Sequence, residues 1–157
     1  MNILFLIANA LAYTKSDFHH IGYWESPPDI IICEDAKVDI TIIKSSIEFW
    51  KKIGYNLNSE PKKKQCGSNI HTPGEIRITG QRNLDTVRYY AMTDRNYYEK
   101  NSNSFMLSAN IKIGNDSDNN LELLIHELGH AIGIDHETHD KSHIMHHRVI
   151  ELQTRYK

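Results

Sequence analysis

The chain is expected to fold as an α/β (α+β) protein, and three features of the sequence predict it. Two stretches carry apolar residues at helical spacing, positions 38–53 and 121–132. Several short runs alternate apolar and polar residues as strands do, the longest being Phe105–Ile113. The two kinds alternate along the chain as strand, helix, strands, helix, which is the pattern of a sheet covered by helices.

The elements follow in order. Asn2–Ala12 is apolar and ends in Ala10-Leu11-Ala12, so it has the form of a short secretory h-region with an A-x-A cleavage site. It has no Lys or Arg ahead of the apolar run, so a strand or an apolar arm on the domain is the competing reading. Tyr13–Asp29, with Pro27-Pro28, reads as an irregular lead-in, and residues 1–28 are set apart from a domain spanning 29–157. Such a segment is a candidate to cover a cleft. Ile30–Cys33 is a short buried strand. Val38–Ile53 is helical, with Ile43, Ile47 and Trp50 on one line, Ile42, Phe49 and Ile53 on the next, and Gly54 at its end. Asn58–Gly74 reads as a polar loop. Glu75–Thr79 alternates around Ile76 and Ile78, and Thr86–Thr93 around Val87, Tyr89 and Ala91. Phe105, Leu107, Ala109, Ile111 and Ile113 share one face of the next strand; Met106, Ser108, Asn110 and Lys112 share the other. Leu121, Leu124, Ile125, Leu128 and Ile132 give the last long helix an apolar face, with Asn119 and Glu122 as a capping pair. A short helical tail is expected from about Arg148.

The chemistry is concentrated in His126-Glu127-Leu128-Gly129-His130-Ala131-Ile132-Gly133-Ile134-Asp135-His136. Residues four apart on a helix share a face, so the imidazoles of His126 and His130 reach one point. Two such nitrogens suit a Zn²⁺ ion at about 2.0–2.1 Å. Gly133 allows the helix to stop and turn, which brings His136 back as a third ligand. Glu127 lies beside the metal without ligating it, as a general base does. Three histidines and a glutamate buried together without a metal would be costly.

Composition bounds the rest. The chain has 157 residues, ten histidines and a formal charge of -2. That length carries a real core, and that charge gives no reason to expect nucleic acid or an anionic membrane as partner. No stretch is long enough to span a bilayer, and a monomer is expected. Lys62-Lys63-Lys64 reads as a solvated patch. Cys33 and Cys66 either pair or remain apart, with Cys33 a small buried hydrophobe.

The order H-E-x-x-H-x-x-G-x-x-H, with Met145 nine residues after His136, resembles the metzincin zinc proteases, and the element order over roughly 29–157 is similar to their matrixin branch. The resemblance implies a twisted, mostly parallel sheet with an antiparallel edge strand, an active-site helix, a Met-turn and a C-terminal helix. It implies Zn²⁺ held by His126, His130 and His136, with Glu127 as general base and acid, and Met145 as an apolar floor beneath the metal. It also implies a zinc-activated water attacking peptide bonds of a protein or peptide substrate. Phe105, Met106, Leu107, Ser108, Ala109, Asn110 and Ile111 match the edge strand on which the family lays its substrate. Glu137 after the third histidine, and Ile144-Met145-His146, are similar to astacins. Those enzymes place Tyr where this chain has His147, an auxiliary candidate that otherwise reads as a surface histidine. Asp116–Asp118 offers the oxygen donors of a Ca²⁺ loop but reads first as solvated. Secretion is the family's usual setting. The alternative to a protease is a binding or structural module that keeps the metal site but not turnover, and an intact Glu127 argues against it.

Overall fold

The computed structural model describes residues 10, 12–69, 71–81, 91–114 and 120–147. Most of the apolar run Asn2–Ala12, the first part of Thr86–Thr93, the stretch Asp116–Asp118 and the tail from Arg148 lie outside them.

Five strands form one mixed sheet: β1 (Asp29–Cys33), β2 (Lys62–Lys64), β3 (Glu75–Gln81), β4 (Ala91–Lys100) and β5 (Asn103–Gly114), in the order β2-β1-β3-β5-β4. All neighbours run parallel except β4, which is antiparallel to β5. The β4–β5 connection is a tight hairpin in which Asn101 and Ser102 take positive φ, at 52° and 61°. Among the described residues two α-helices, α1 (Ile40–Ile53) and α2 (Leu121–Ala131), accompany the sheet, with one short 3-10 turn at Lys15–Asp17.

One face of the sheet is the core face. Ile30 pairs with Ile76, and Ile32 with Ile78; Ile76 and Ile78 then pair with Ala109 and Ile111. These residues cluster with Ile43, Ile47, Phe49 and Trp50 of α1 and with Leu124, Ile125 and Leu128 of α2. Each fully buried isoleucine or leucine there contributes about 1.5–3 kcal/mol. Trp50 donates its indole N–H to the carbonyl of Ile125 at 2.9 Å, fixing the two helices against each other. Helix α1 begins at an Asp39 cap, whose Oδ1 accepts from Thr41 N at 2.8 Å, and ends at Gly54 with φ 111°. Helix α2 is capped by Asn120, whose side chain accepts from Leu123 N, so the cap stands one residue later than Asn119.

Three expectations are corrected. Asn58–Gly74 contains the strand β2, whose three exposed lysines form the outer edge beside β1. Lys62 bridges Asp29 and Lys64 bridges Glu75, both at 3.0 Å, and a lysine-rich edge resists pairing with another sheet. Second, the strand expected to end at Thr93 continues to Lys100. It passes through Asp94-Arg95-Asn96, whose polarity conceals a half-covered edge strand. Third, Phe105–Ile113 is not the edge strand. β5 is interior, between β3 and β4, and both faces are covered from Ser108 to Ile111. Its first residues, beyond the reach of β3, are also occupied: Tyr23 N donates to Ser104 O, and Met106 N donates to Tyr23 O. The antiparallel edge strand is β4.

Residues 13–28 are part of the same packed unit. Phe18 is buried against Trp50, and Tyr13 packs on Phe49. Ile21 N donates to Gly133 O, Asp135 N to His19 O, and Trp24 Nε1 to Ala131 O. The segment thus braces the end of α2 and the turn after it. Cys33 and Cys66 are joined by a disulfide, which ties the end of β1 to the loop after β2.

Candidate metal centre

Helix α2 places His126 and His130 one turn apart, both buried. The helix ends at Ala131, and Gly133 reverses the chain with φ 99°. A Cβ at Gly133 would overlap the carbonyl oxygen of Gly22, so the position requires glycine for space as well as for backbone angle. The turn returns His136 to the histidines of the helix. The three Nε2 atoms form a nearly equilateral triangle: His126 to His130 is 3.1 Å, His130 to His136 is 3.1 Å and His126 to His136 is 3.2 Å.

The other ring nitrogens decide what that triangle is. His126 Nδ1 lies 2.8 Å from the carbonyl oxygen of Ile144, and His130 Nδ1 lies 2.9 Å from that of Ile134. A carbonyl only accepts, so each Nδ1 carries the proton and donates it. In the neutral ring Nε2 then has only a lone pair. Two bare lone pairs 3.1 Å apart do not hydrogen-bond to each other; they repel unless a cation lies between them. Burial pushes both rings below the ordinary histidine value, His126 to about 4 and His130 to about 3, so they are neutral at physiological pH. His136 is lowered too, mainly by burial, although it is the most exposed of the three.

The donors fit zinc. A tetrahedral zinc at about 2.0–2.1 Å from each nitrogen separates its ligands by about 3.3–3.4 Å, close to the observed triangle. Imidazole is a preferred ligand, and backbone carbonyls behind the rings are the usual outer support. Among the described residues, one other group has metal-ligand spacing, Cys33, Glu34 and Cys66. Its two sulfurs are consumed in the disulfide.

Glu127 is almost fully buried, and burial pushes its carboxyl up to about 7 against opposing effects from Thr93 and Arg95. Thr93 Oγ1 donates to Glu127 Oε2 at 2.6 Å and lies 3.1 Å from the Glu127 carbonyl oxygen. Arg95, two residues along the same face of β4, donates to Ile134 O at 3.1 Å, the carbonyl that also receives His130 Nδ1. Sequence reasoning missed both residues. Their only local signal was alternation along β4, which does not say what that face meets.

Met145 is fully buried in the turn after the third histidine. It packs against Gly129 so closely that a Cβ there would overlap Met145 Sδ and lie 2.7 Å from Trp50 Cζ2. The same turn delivers the Ile144 carbonyl to His126. His147 is exposed; its ring is centred 6.5 Å from that of His136, stacks on His146, and does not belong to the metal-ligand group. A cavity of about 320 Å³ opens beside the site, lined by Thr93 and Arg95 of β4 and by Glu127, His130, Asp135 and His136 among others. No residue of 105–111 lines it, because β5 lies one strand farther in. Nor does any described residue of the lead-in; Lys15, His20, Tyr23 and Trp24 line a separate cavity of about 410 Å³ with Tyr55 and Ile132. No family model, no curated protein and no solved structure matches the chain.

Proposed function

We propose that the chain is a zinc-dependent endopeptidase of the metzincin type, acting on proteins or peptides. One observation carries the reading: three imidazole Nε2 atoms converge within 3.2 Å of one another, those of His126 and His130 with their lone pairs turned inward, beside a buried carboxyl at the edge of an open cleft. His126, His130 and His136 would hold the metal through Nε2. When bound, zinc supplies a Lewis acid that polarises a carbonyl and makes water acidic near neutral pH.

The residues of the chain do the rest. A carboxyl raised to about 7 exchanges its proton readily near neutrality, which suits Glu127 as general base and then general acid. Oε2 is engaged by Thr93, so Oε1 is the oxygen left to take the proton. Among the described residues strand β4 is the outermost strand on the side of the cavity, and an extended peptide can add to such an edge by backbone hydrogen bonds. Ile144 supports His126 through its carbonyl, and Met145 packs on Gly129, next to His130 in the helix. Secretion belongs to the same proposal and is supported by the Cys33–Cys66 disulfide, because such bonds persist in oxidising surroundings.

The test is a digest of a diverse peptide library by the purified chain, with metal analysis, with and without a chelator, and with Glu127→Gln. Cleavage with one zinc per chain, abolished by chelator and by Glu127→Gln while the variant keeps its zinc, is the expected result. One zinc per chain with no cleavage by the wild type would overturn the protease reading in favour of a non-catalytic metal module.

A further inference from the structure

Arg95 lines the cavity with Glu127, His130 and His136, and its guanidinium is only partly used. Nη1 donates to the carbonyl of Ile134, a neutral acceptor. None of the ion pairs among the described residues involves Arg95. Asp135, the other acid lining the cavity, has Oδ1 turned to the backbone N–H of His136 at 2.9 Å. Arginine has five N–H donors in a planar fork, and one hydrogen bond to a carbonyl leaves several for a second partner. A partly buried guanidinium pinned on one side and facing an open cavity on the other is a receptor for a planar anion, and a carboxylate fits it bidentately. Its charge is felt at Glu127, His130 and His136, lowering the pKa of each, which places it close to the reacting region.

The anion that a peptide brings to this place is a carboxylate. Arg95 projects from the same strand whose free edge would hold the peptide, two residues from the threonine that holds Glu127. We propose that Arg95 is a specificity-determining residue that selects substrates with a carboxylate next to the scissile bond, either an acidic side chain or the free carboxyl end of the chain. This rests on the peptidase reading above. The pinning of Ile134 is a separate, structural role, and the two are separable because a structural defect slows every substrate alike.

The test uses the zinc-loaded full chain and two series of fluorescent peptides drawn from cleaved library sequences, or from the library at large if none is cleaved. In one series both ends are blocked and a single residue is Glu or Gln, stepped through each position around the bond. In the other the sequence is neutral and the C-terminus is acid or amide. Relative kcat/KM is read where cleavage occurs, and Kd by fluorescence anisotropy in every case. The expected result is a preference of about 10- to 100-fold for the carboxylate in one series, which identifies its source. Arg95→Gln should erase the ratio and Arg95→Lys should keep part of it. Cleavage with no acid-over-amide ratio in either series, or a ratio unchanged in Arg95→Gln, would overturn the role of Arg95 and leave the peptidase reading intact. Neither cleavage nor binding of any peptide would overturn both.

Discussion

The hydroxyl of Thr93 sits 2.6 Å from Oε2 of Glu127, so the edge strand β4 and the helix α2 meet at the carboxyl proposed to move the proton. The bond stabilises the charged carboxylate and opposes the upward push of burial. Thr93→Val is nearly isosteric and removes it, leaving Glu127 free to rotate and harder to ionise. Peptidase activity should fall about 10- to 100-fold while zinc content stays at one per chain, in line with the usual worth of a positioned acid–base group. The acid limb of the kcat/KM pH profile should move to higher pH, because the removed bond favoured the ionised form. Thr93→Ser should restore most of both. An unmoved acid limb in Thr93→Val would show that the hydroxyl does not tune Glu127.

Two glycines in the histidine motif are there for space. A Cβ at Gly129 would overlap Met145 Sδ and press on Trp50, and a Cβ at Gly133 would overlap the Gly22 carbonyl at a backbone φ of 99°. Overpacking costs about 1–3 kcal/mol, and alanine at positive φ adds roughly 1 kcal/mol. Gly67 also has positive φ, at 61°, but nothing lies within 4 Å of its Cβ position. Gly133→Ala and Gly129→Ala should each lower the denaturant midpoint more than Gly67→Ala does. Equal losses at all three sites would show that steric contact is not what holds Gly129 and Gly133.

The motif made the histidine cluster legible because helical geometry alone brings His126 and His130 together, and a glycine turn is the short way to bring back a third ring. Gly54, Ile43, Ile47 and Trp50 were legible for the same reason: their spacing is local. What the sequence concealed was lateral. Nothing in Phe105–Ile113 says that β4 will flank it; its alternation gave a strand, the edge position came from the family resemblance alone, and Ser108 and Asn110 are in fact buried. Thr79 donating to Asn110 Oδ1 across β3 and β5 satisfies part of that buried amide, a pairing visible only once the strands are ordered. Thr93 and Arg95 were missed because their partners, Glu127 and Ile134, are more than thirty residues away.

The Cys33–Cys66 bond closes a separation of 33 residues and anchors β2 and the following loop to β1. Removing that constraint from the unfolded chain costs about 3–4 kcal/mol in the chain-entropy picture. The Cys33→Ser, Cys66→Ser double variant should therefore unfold at lower denaturant by that amount in non-reducing buffer. Adding a thiol reductant should shift the wild type to the same midpoint. Zinc stoichiometry should not change, because the bond lies at the β2 side of the sheet and the histidines at the β4 side. A midpoint indifferent to reductant would mean that the loop is held by its other contacts, such as Glu34 accepting from Cys66 N.

The buried histidines set the acid limit of the metal-free chain. His126 and His130 ordinarily titrate at 6.5 and are pushed to about 4 and about 3 by burial. Between about 6.5 and these lower values the unfolded chain binds protons at these rings that the folded chain does not, so their contribution to stability falls as pH falls through that window. Above 6.5 both states are neutral at these rings and the stabilisation is fully present. Glu127 acts the other way, because its carboxyl, raised from 4.5 to about 7, takes up a proton in the fold before it does in the unfolded chain. The thermal midpoint of chelator-treated protein should therefore decline in acid less steeply than two histidines alone would give, and Glu127→Gln should steepen the decline between about pH 6.5 and 4.5. Zinc should raise the midpoint most at neutral pH and progressively less in acid, because the ion and the proton compete for the same Nε2 lone pairs. Replacing His130 by Gln removes one of those lone pairs and one buried proton site together. That variant should lose both the response to zinc and part of the acid decline, and a decline of undiminished slope would place the sensitive groups elsewhere in the chain.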